Sequence, residues 1–302
     1  MPISEDASVL FVGNATLLIR YNGFTLLTDP NFLHRGQRAY LGYGLTSRRR
    51  TDPAIDLDRL PPPDAVVLSH MHGDHWDRVA RRGLDKNTPI VTTPHAARRL
   101  RRRGFGAAVG LHTWHDHELY RDGRTLKITA LPARHAPGAA QMLFPPVMGS
   151  MLEFCGTDGR VDLRMHISGD TLMDHRCLSG IPRRFPDIDL GIVHLGGTKI
   201  LGMMVTMDGE QGARWINLLN PRTVMPVHYD DYTVFTSPLD DFRHHVERAG
   251  WADRVRYVAR GESIPLPARR AVDIPPARQG ETSPAQHEAE GSSGRHGPGR
   301  SS

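Results

Sequence analysis

The stretch from Val66 to Asp77, VVLSHMHGDHWD, packs three histidines and two aspartates directly behind an apolar run. Polar side chains at that density beside a buried strand are costly unless something binds them. Val66 to Leu68 reads as a short strand, so His70, His72, Asp74 and His75 fall on the loop at its carboxyl end. Imidazoles and carboxylates in one loop suit zinc, iron or manganese. A lone His-x-His would be weak evidence, whereas four ligand-type side chains at fixed positions behind one strand are a strong signal. Trp76 and Asp77 read as the start of the following helix.

A closed site needs further donors, and strand ends are where to look for them. KITALPARH carries His135 just past one apolar strand, LRMHISGDT carries Asp170 to the end of another, and TVMPVHYDD does the same with His228. Gly169 permits the tight turn that Asp170 needs. Three separate strands that each end in one potential ligand predict convergence on a single site. Other histidines read differently. His112, His115 and His117 of LHTWHDHELY read as a polar surface loop, and His166 as a strand-face residue. His194 ends the strand DLGIVHLGG on the side expected to face the cleft, where a histidine can protonate a leaving group. A satisfied, half-buried histidine fits that position equally well. Tyr229 to Tyr232 flank His228 and are read as shaping the pocket, with Asp230 equally placed to orient a ligand.

Outward from these motifs, the chain opens as a strand meander. SVLFVG is followed by TLLIRYNGFTLLTDP, with Asn22-Gly23 as the two-residue hairpin turn. A polar loop rich in glycine and arginine runs from Asn31 to about Arg59. Strands and helices then alternate. PIVTTPHAARRLRRRGF reads as a strand, a Thr93 N-cap with Pro94 at the first helical position, and a helix closed by Gly104. MDGEQGARWINLL reads as a helix capped by Asp208, with Gln211 three residues on as a capping-box partner. The methionine-rich pieces MLFPPVMGSMLEF and ILGMMVTM could line an apolar substrate pocket, with core filling the plainer reading. One domain therefore spans 1–267. Residues 268–302 hold almost no large apolar side chains and read as a disordered tail.

Composition narrows the function classes. Two cysteines, Cys155 and Cys177, are too few for a disulfide framework or a cysteine-based zinc knuckle. No stretch approaches the ~20 apolar residues of a membrane span. The acidic N-terminus lacks the basic start of a signal peptide, so a cytoplasmic protein is expected. The net charge of +5 is carried mainly by arginine, with runs at Arg48 to Arg50 and Arg98 to Arg103. A basic face suits phosphate-bearing or other anionic substrates, or a membrane surface. Solvated helix faces are the plainer reading, and no aromatic interleaving marks a nucleic-acid platform.

Taken together, VGNATLLIRYNGFTLLTDP, SHMHGDH, PARH, SGDT and PVHYDD resemble a metallo-β-lactamase-fold hydrolase from about Leu10 to Gly261. They are similar to the branch that holds N-acyl-phosphatidylethanolamine phospholipase D and ascorbate-6-phosphate lactonase. The resemblance implies an α/β fold, a four-layer αβ/βα sandwich with a binuclear metal site at the sheet edge. It implies His70, His72 and His135 on one metal, Asp74, His75 and His228 on the other, and Asp170 bridging. Asp29 of LTDP would orient a ligand histidine. The implied cofactors are two divalent ions, zinc first, with manganese or iron as alternatives. The implied reaction is attack by a metal-bridging hydroxide on a phosphodiester, ester or lactone, with Asp74 steering the hydroxide and His194 or a bound water protonating the leaving group.

Two other activities compete: an iron-dependent oxidoreductase of the persulfide-dioxygenase kind, and a nucleic-acid phosphodiesterase. The first relies on one iron, which would make a complete second ligand set unnecessary; for the second, no nuclease domain or RNA-binding arm is apparent. The expected partner is a small-molecule or lipid-like anionic substrate, with no nucleic-acid or protein partner. The chain departs from the pattern twice. Asn14 stands where many relatives carry histidine, and Ala136-Pro137-Gly138 follows His135 where phospholipase-like relatives carry an aromatic residue. The second departure weakens transfer of the phospholipase's substrate and leaves the metal ligands untouched.

Overall fold

The computed structural model describes residues 7–200 and 202–267. The expected tail, 268–302, lies outside the described residues. The chain opens with β1 (Ser8–Gly13), β2 (Thr16–Tyr21) and β3 (Phe24–Thr28), then a ribbon of β4 (Arg38–Gly42) and β5 (Leu45–Arg48). Next come β6 (Ala65–Val67), α1 (Arg78–Gly83), β7 (Ile90–Thr92), α2 (Pro94–Arg101) and β8 (Ala108–Gly110). The second half holds β9 (Asp116–Arg121), β10 (Arg124–Leu131), β11 (Gly149–Cys155), β12 (Val161–Ile167), α3 (His175–Leu178), α4 (Gly180–Arg184) and β13 (Leu190–His194). It ends with β14 (Lys199–Ile200), β15 (Met203–Met204), α5 (Gly209–Leu219), β16 (Thr223–Val227), α6 (Leu239–Arg248) and β17 (Ser263–Pro265).

Two mixed sheets form the body. One runs β17-β1-β2-β3-β6-β7-β8 and the other β16-β13-β12-β11-β10-β9. Alternation along β2 explains the layering. Leu17, Ile19 and Tyr21 point into the core shared with Ile128, Leu152 and Met165 of the second sheet. Leu18 points the other way, into a cluster with Ala97, Leu100 and Phe105 around α2. A strand buried on both faces requires a layer on each side, which gives the expected four-layer sandwich. Among the described residues, no helix is long and apolar enough to cross a membrane.

Local chemistry sets the element boundaries. Asn22 and Gly23 both take positive φ, 52° and 83°, as a type I′ hairpin turn requires. Thr93 accepts from Ala96 N at 3.2 Å ahead of Pro94, and Asp208 accepts from Gln211 N at 2.9 Å. Asp77 is the N-cap of α1, so Trp76 precedes the helix and packs on Phe105 instead. The Gln211 amide does not complete a capping box; its oxygen accepts from Met173 N.

Three expectations are corrected. The polar loop from Asn31 to Arg59 contains the β4–β5 ribbon. His117 lies within β9, opposite Ile128, while His112 and His115 are exposed as expected. Arg49, read as part of a solvated run, is completely buried against Asp231, 3.6 Å away.

Parallel register decides where the site forms. β3 runs parallel to β6, and β12 to β13 and β16, while β10 is two antiparallel steps from β12 and so shares its direction. The carboxyl ends of β10, β12, β13 and β16 therefore lie along one edge of the second sheet, the position where α/β sheets bind ligands.

His166 in β12 is a strand-face residue, stacked on Trp215 with ring centroids 5.3 Å apart. Burial, with His194 as the second cause, pushes its ring down to about 3. The unfolded chain takes up that proton near 6.5 and the folded chain only near 3. Folding therefore loses stability as pH falls through this window. Thermal midpoints should drop on acidification, and His166→Leu should remove roughly 2 kcal/mol of that loss at about pH 5. Parallel melting curves of the two proteins against pH would contradict this.

Candidate metal centre

All seven expected ligands converge, and none is more than 9% exposed. Ligand atoms of His70, His72 and His135 lie within 4.8 Å of one another, as do those of Asp74, His75 and His228. His72 Nδ1 is 2.9 Å from His70 Nε2 and 3.1 Å from His135 Nε2. In the second group, His228 Nε2 is 3.1 Å from His75 Nε2 and 3.4 Å from Asp74 Oδ2. Asp170 stands between the two. Its Oδ2 is 3.2 Å from His75 Nε2 and 3.9 Å from His70 Nε2.

Outer hydrogen bonds aim the rings. His135 Nδ1 donates to the Val205 carbonyl at 2.7 Å, and His228 Nδ1 to the Leu195 carbonyl at 3.1 Å. A carbonyl can only accept, so in each ring Nδ1 carries a proton and Nε2 is the nitrogen that faces the site. His75 Nδ1 lies 3.1 Å from Asp29 Oδ2. Ser69 Oγ donates to Asp29 and accepts from His70 Nδ1, each at 3.0 Å. One buried carboxylate thus orients a histidine in each group, which gives Asp29 the position that the resemblance implies for it.

The backbone is built to hold this arrangement. Gly169 has φ of 60°, and a Cβ there would sit 2.6 Å from the Met148 carbonyl oxygen. His228 adopts φ of 63° without being glycine. Such a conformation costs on the order of 1–3 kcal/mol and persists only when its surroundings enforce it. Asn14 supplies that enforcement. Its carbonyl accepts from His228 N at 3.0 Å, its Nδ2 donates to the Asp74 carbonyl at 2.7 Å, and its N donates to Asp231 Oδ2 at 2.9 Å. Asn14 therefore ties together the backbones of His228 and Asp74, and is itself held by Asp231, which also faces Arg49 and Arg260.

Electrostatics divide the site in two. Burial, reinforced by neighbouring rings, lowers His70 well below its ordinary value and His72 to about 3, and burial also lowers His135. These three rings are neutral, the form that binds metals. Burial would lower His75 and His228 too, but Asp170 and Asp74 overcome it and raise both. Burial opposes ionisation of Asp74 and Asp170, yet His75 and His228 hold both below the ordinary carboxylate range. Asp74 Oδ1 and Asp170 Oδ1 are buried and accept no hydrogen bond. Three neutral imidazoles, two more rings whose Nε2 would give up its proton to a metal, and ionised carboxylates with free oxygens are the donor set that a divalent metal takes. The residues fit the group.

The comparisons with known proteins follow the same line. Residues 25–229 match the beta-lactamase superfamily domain family. The chain belongs to this family. A metal-dependent hydrolase from Pelotomaculum thermopropionicum is 31% identical over 206 residues, 67% of this chain and 82% of that one. An N-acyl-phosphatidylethanolamine-hydrolyzing phospholipase D from Caenorhabditis elegans is 28% identical over 134 residues, 42% of this chain and 37% of that protein. The crystal structure of a possible metal-dependent hydrolase from Veillonella parvula superposes with a TM-score of 0.73 at 22% identity, covering 86% of this chain and 99% of that one. The chain is thus a metal-dependent hydrolase of the metallo-β-lactamase superfamily.

His194 lies 1% exposed behind His75, its ring stacked on the ligand ring at 6.1 Å between centroids. Its Nδ1 is 3.2 Å from Ser168 Oγ and its Nε2 3.5 Å from Asp29 Oδ2. The cleft itself, about 750 Å³, opens beside His72 and runs under the β4–β5 ribbon. Met142 and Leu143, read as core, are 84% and 60% exposed at its mouth. They sit in a short 3-10 turn, Gly138–Leu143, that interrupts the strand sequence and leaves them no sheet to pack under.

Proposed function

We propose that the protein hydrolyses a phosphodiester, ester or lactone, using two divalent ions, zinc first. His70, His72 and His135 would hold one ion, Asp74, His75 and His228 the other, and Asp170 would face both. The observation that carries this reading is the pair of buried three-donor groups flanking the Asp170 carboxylate beside an open cleft. Bound there, divalent metals supply water activation near neutral pH and positive charge against a developing oxyanion.

The chain's own residues do the rest. Asp74 stays ionised, so it acts as an acceptor: Oδ2 belongs to the His75–His228 group, and the unpartnered Oδ1 is free to orient a water and take its proton. His194 is separated from the cleft by His75, so we assign it to holding Asp29 against Ser69 and His75 rather than to protonating a leaving group. The cleft of about 750 Å³ beside His72 receives the substrate.

Turnover of bis(p-nitrophenyl) phosphate and of a simple lactone by zinc-loaded protein tests the reading. Hydrolysis that chelation abolishes is the expected result. Oxygen consumption on a persulfide by protein holding iron, without hydrolysis, would overturn it.

A further inference from the structure

The two walls of the cleft beside His72 differ in chemistry. On one side α1 presents Arg78 and Arg81, three residues apart, while Arg99 and Arg103 lie four apart at the end of α2 and just beyond it. Those spacings put each pair on one helix face. Neither helix contains an acidic residue, RVARRG in α1 and PHAARRLR in α2. Among the described residues, none of the four guanidinium groups has an ion-pair partner. Burial and the nearby Arg81 and Arg99 lower Arg103, so these charges gather at one place. His95, one turn before Arg99, also lines the cleft, and its buried Nδ1 has no hydrogen-bond partner. Like charges at these spacings cost stability unless an anion offsets them.

Most of the apolar lining comes from the β4–β5 ribbon and the 138–146 segment, with Arg38 beside it on β4. Tyr40 and Tyr43 on the ribbon and Met142 and Leu143 of the segment are 58%, 75%, 84% and 60% exposed. They are four of the seven large apolar side chains exposed among the described residues. The Tyr43 hydroxyl donates to the Leu143 carbonyl, which joins the ribbon to the 138–146 segment. Gly73 N in the ligand loop donates to the Tyr40 carbonyl at 2.8 Å, which fixes the ribbon against the metal centre. Exposed apolar side chains gathered at one mouth, rather than scattered, mark a binding site.

We propose that this cleft is a subsite for an amphipathic oxyanion. A phosphate or carboxylate would lie on Arg78, Arg81, Arg99 and Arg103, and an alkyl or aryl group against Tyr40, Tyr43, Met142 and Leu143. The placement of the scissile bond at the His72 end rests on the hydrolase reading, whereas the binding does not. A volume of about 750 Å³ suits one small molecule within the protein rather than docking on an extended surface.

Calorimetric titration of the full-length, zinc-loaded protein with n-octyl phosphate, kept below micelle formation, tests the proposal. Wild type should bind one equivalent, with affinity that weakens as salt rises. The Arg81→Gln/Arg99→Gln variant should bind about tenfold more weakly while its zinc content stays at the wild-type level, which reports intact folding. Met142→Ser should weaken octyl phosphate but leave inorganic phosphate unaffected. Equal affinity in wild type and the arginine variant would overturn the proposal. So would failure to bind octyl phosphate when phosphatidylglycerol vesicles still sediment with wild type but not with the variant, because the arginines would then dock a membrane. Octyl phosphate binding without hydrolysis of any test ester would leave the subsite standing and remove the hydrolase reading. Hydrolysis with unaltered binding in the arginine variant would do the reverse.

Discussion

Asp170→Asn is expected to lower turnover by about 10³-fold and to bring the bound metal below one equivalent per chain. Among the described residues, Asp170 Oδ2 is the one carboxylate oxygen within 4 Å of a histidine from each three-donor group. Removing its charge weakens both groups at once, whereas losing a donor such as His135 weakens one. The substitution is nearly isosteric, so little of the loss should come from packing. Its second signature is local. Asp170 is the strongest upward influence on both His75 and His228, and without it burial would dominate. Both rings should then titrate below their wild-type positions, as histidine ring resonances followed against pH would report. Unchanged turnover and metal content in Asp170→Asn would exclude a site shared through this residue.

The second large effect is expected from a residue outside the ligand set. Asp29→Asn should weaken metal binding by about 10–100-fold for each ligand whose outer partner is disturbed. Two are disturbed here. Asp29 accepts from Ser69 N at 2.7 Å and from Ser69 Oγ at 3.0 Å, and its other oxygen faces His75 Nδ1 at 3.1 Å. Burial opposes ionisation of Asp29, but His75 and His194 overcome it and hold the carboxyl at about 2. The asparagine amide would point an N–H at His75 or at Ser69, where an acceptor is required. One ring must then change tautomer or move. Asp29→Ala would add the cost of stranding buried charge, on the order of 3–5 kcal/mol. Competition with a chromophoric chelator measures the first effect and denaturant unfolding the second. Wild-type affinity in Asp29→Asn would show that the rings are held by other means.

The convergence of the candidate ligands was legible because their chemistry is local. His70, His72, Asp74 and His75 share one loop after an apolar strand, and the other three candidates follow strands recognisable by their β-branched and apolar runs. What holds these side chains in place was not legible. Asn14 acts on His228 through a backbone carbonyl across 214 positions, an interaction with no motif. Asn14, expected as a departure from the family pattern, proves to be a structural tie. Arg49 looked solvated because its neighbours Arg48 and Arg50 are exposed, yet only its own position turns inward to Asp231.

The β4–β5 ribbon escaped notice because its turn carries Tyr43-Gly44 rather than an asparagine or aspartate before glycine. Tyr43 nevertheless takes φ of 51° and Gly44 φ of 78°, the type I′ pattern. Helix α6 was missed for another reason. LDDFRHHVER buries only Phe242 and Val246, and two apolar positions make a weak period. The arginine run from Arg98 to Arg103 showed its charge but not its neighbours. That Arg99 and Arg103 line one cleft with Arg78 and Arg81 beside His72 emerges only from packing α1 and α2 on the same sheet.

The central claim is a two-metal centre built from seven buried donors. Metal analysis of the purified full-length protein by inductively coupled plasma mass spectrometry tests it most directly. About two equivalents of a divalent metal are expected, with about one retained in His135→Ala and in His228→Ala. A single equivalent in wild type that His228→Ala leaves in place, or hydrolysis undiminished after complete chelation, would contradict the claim.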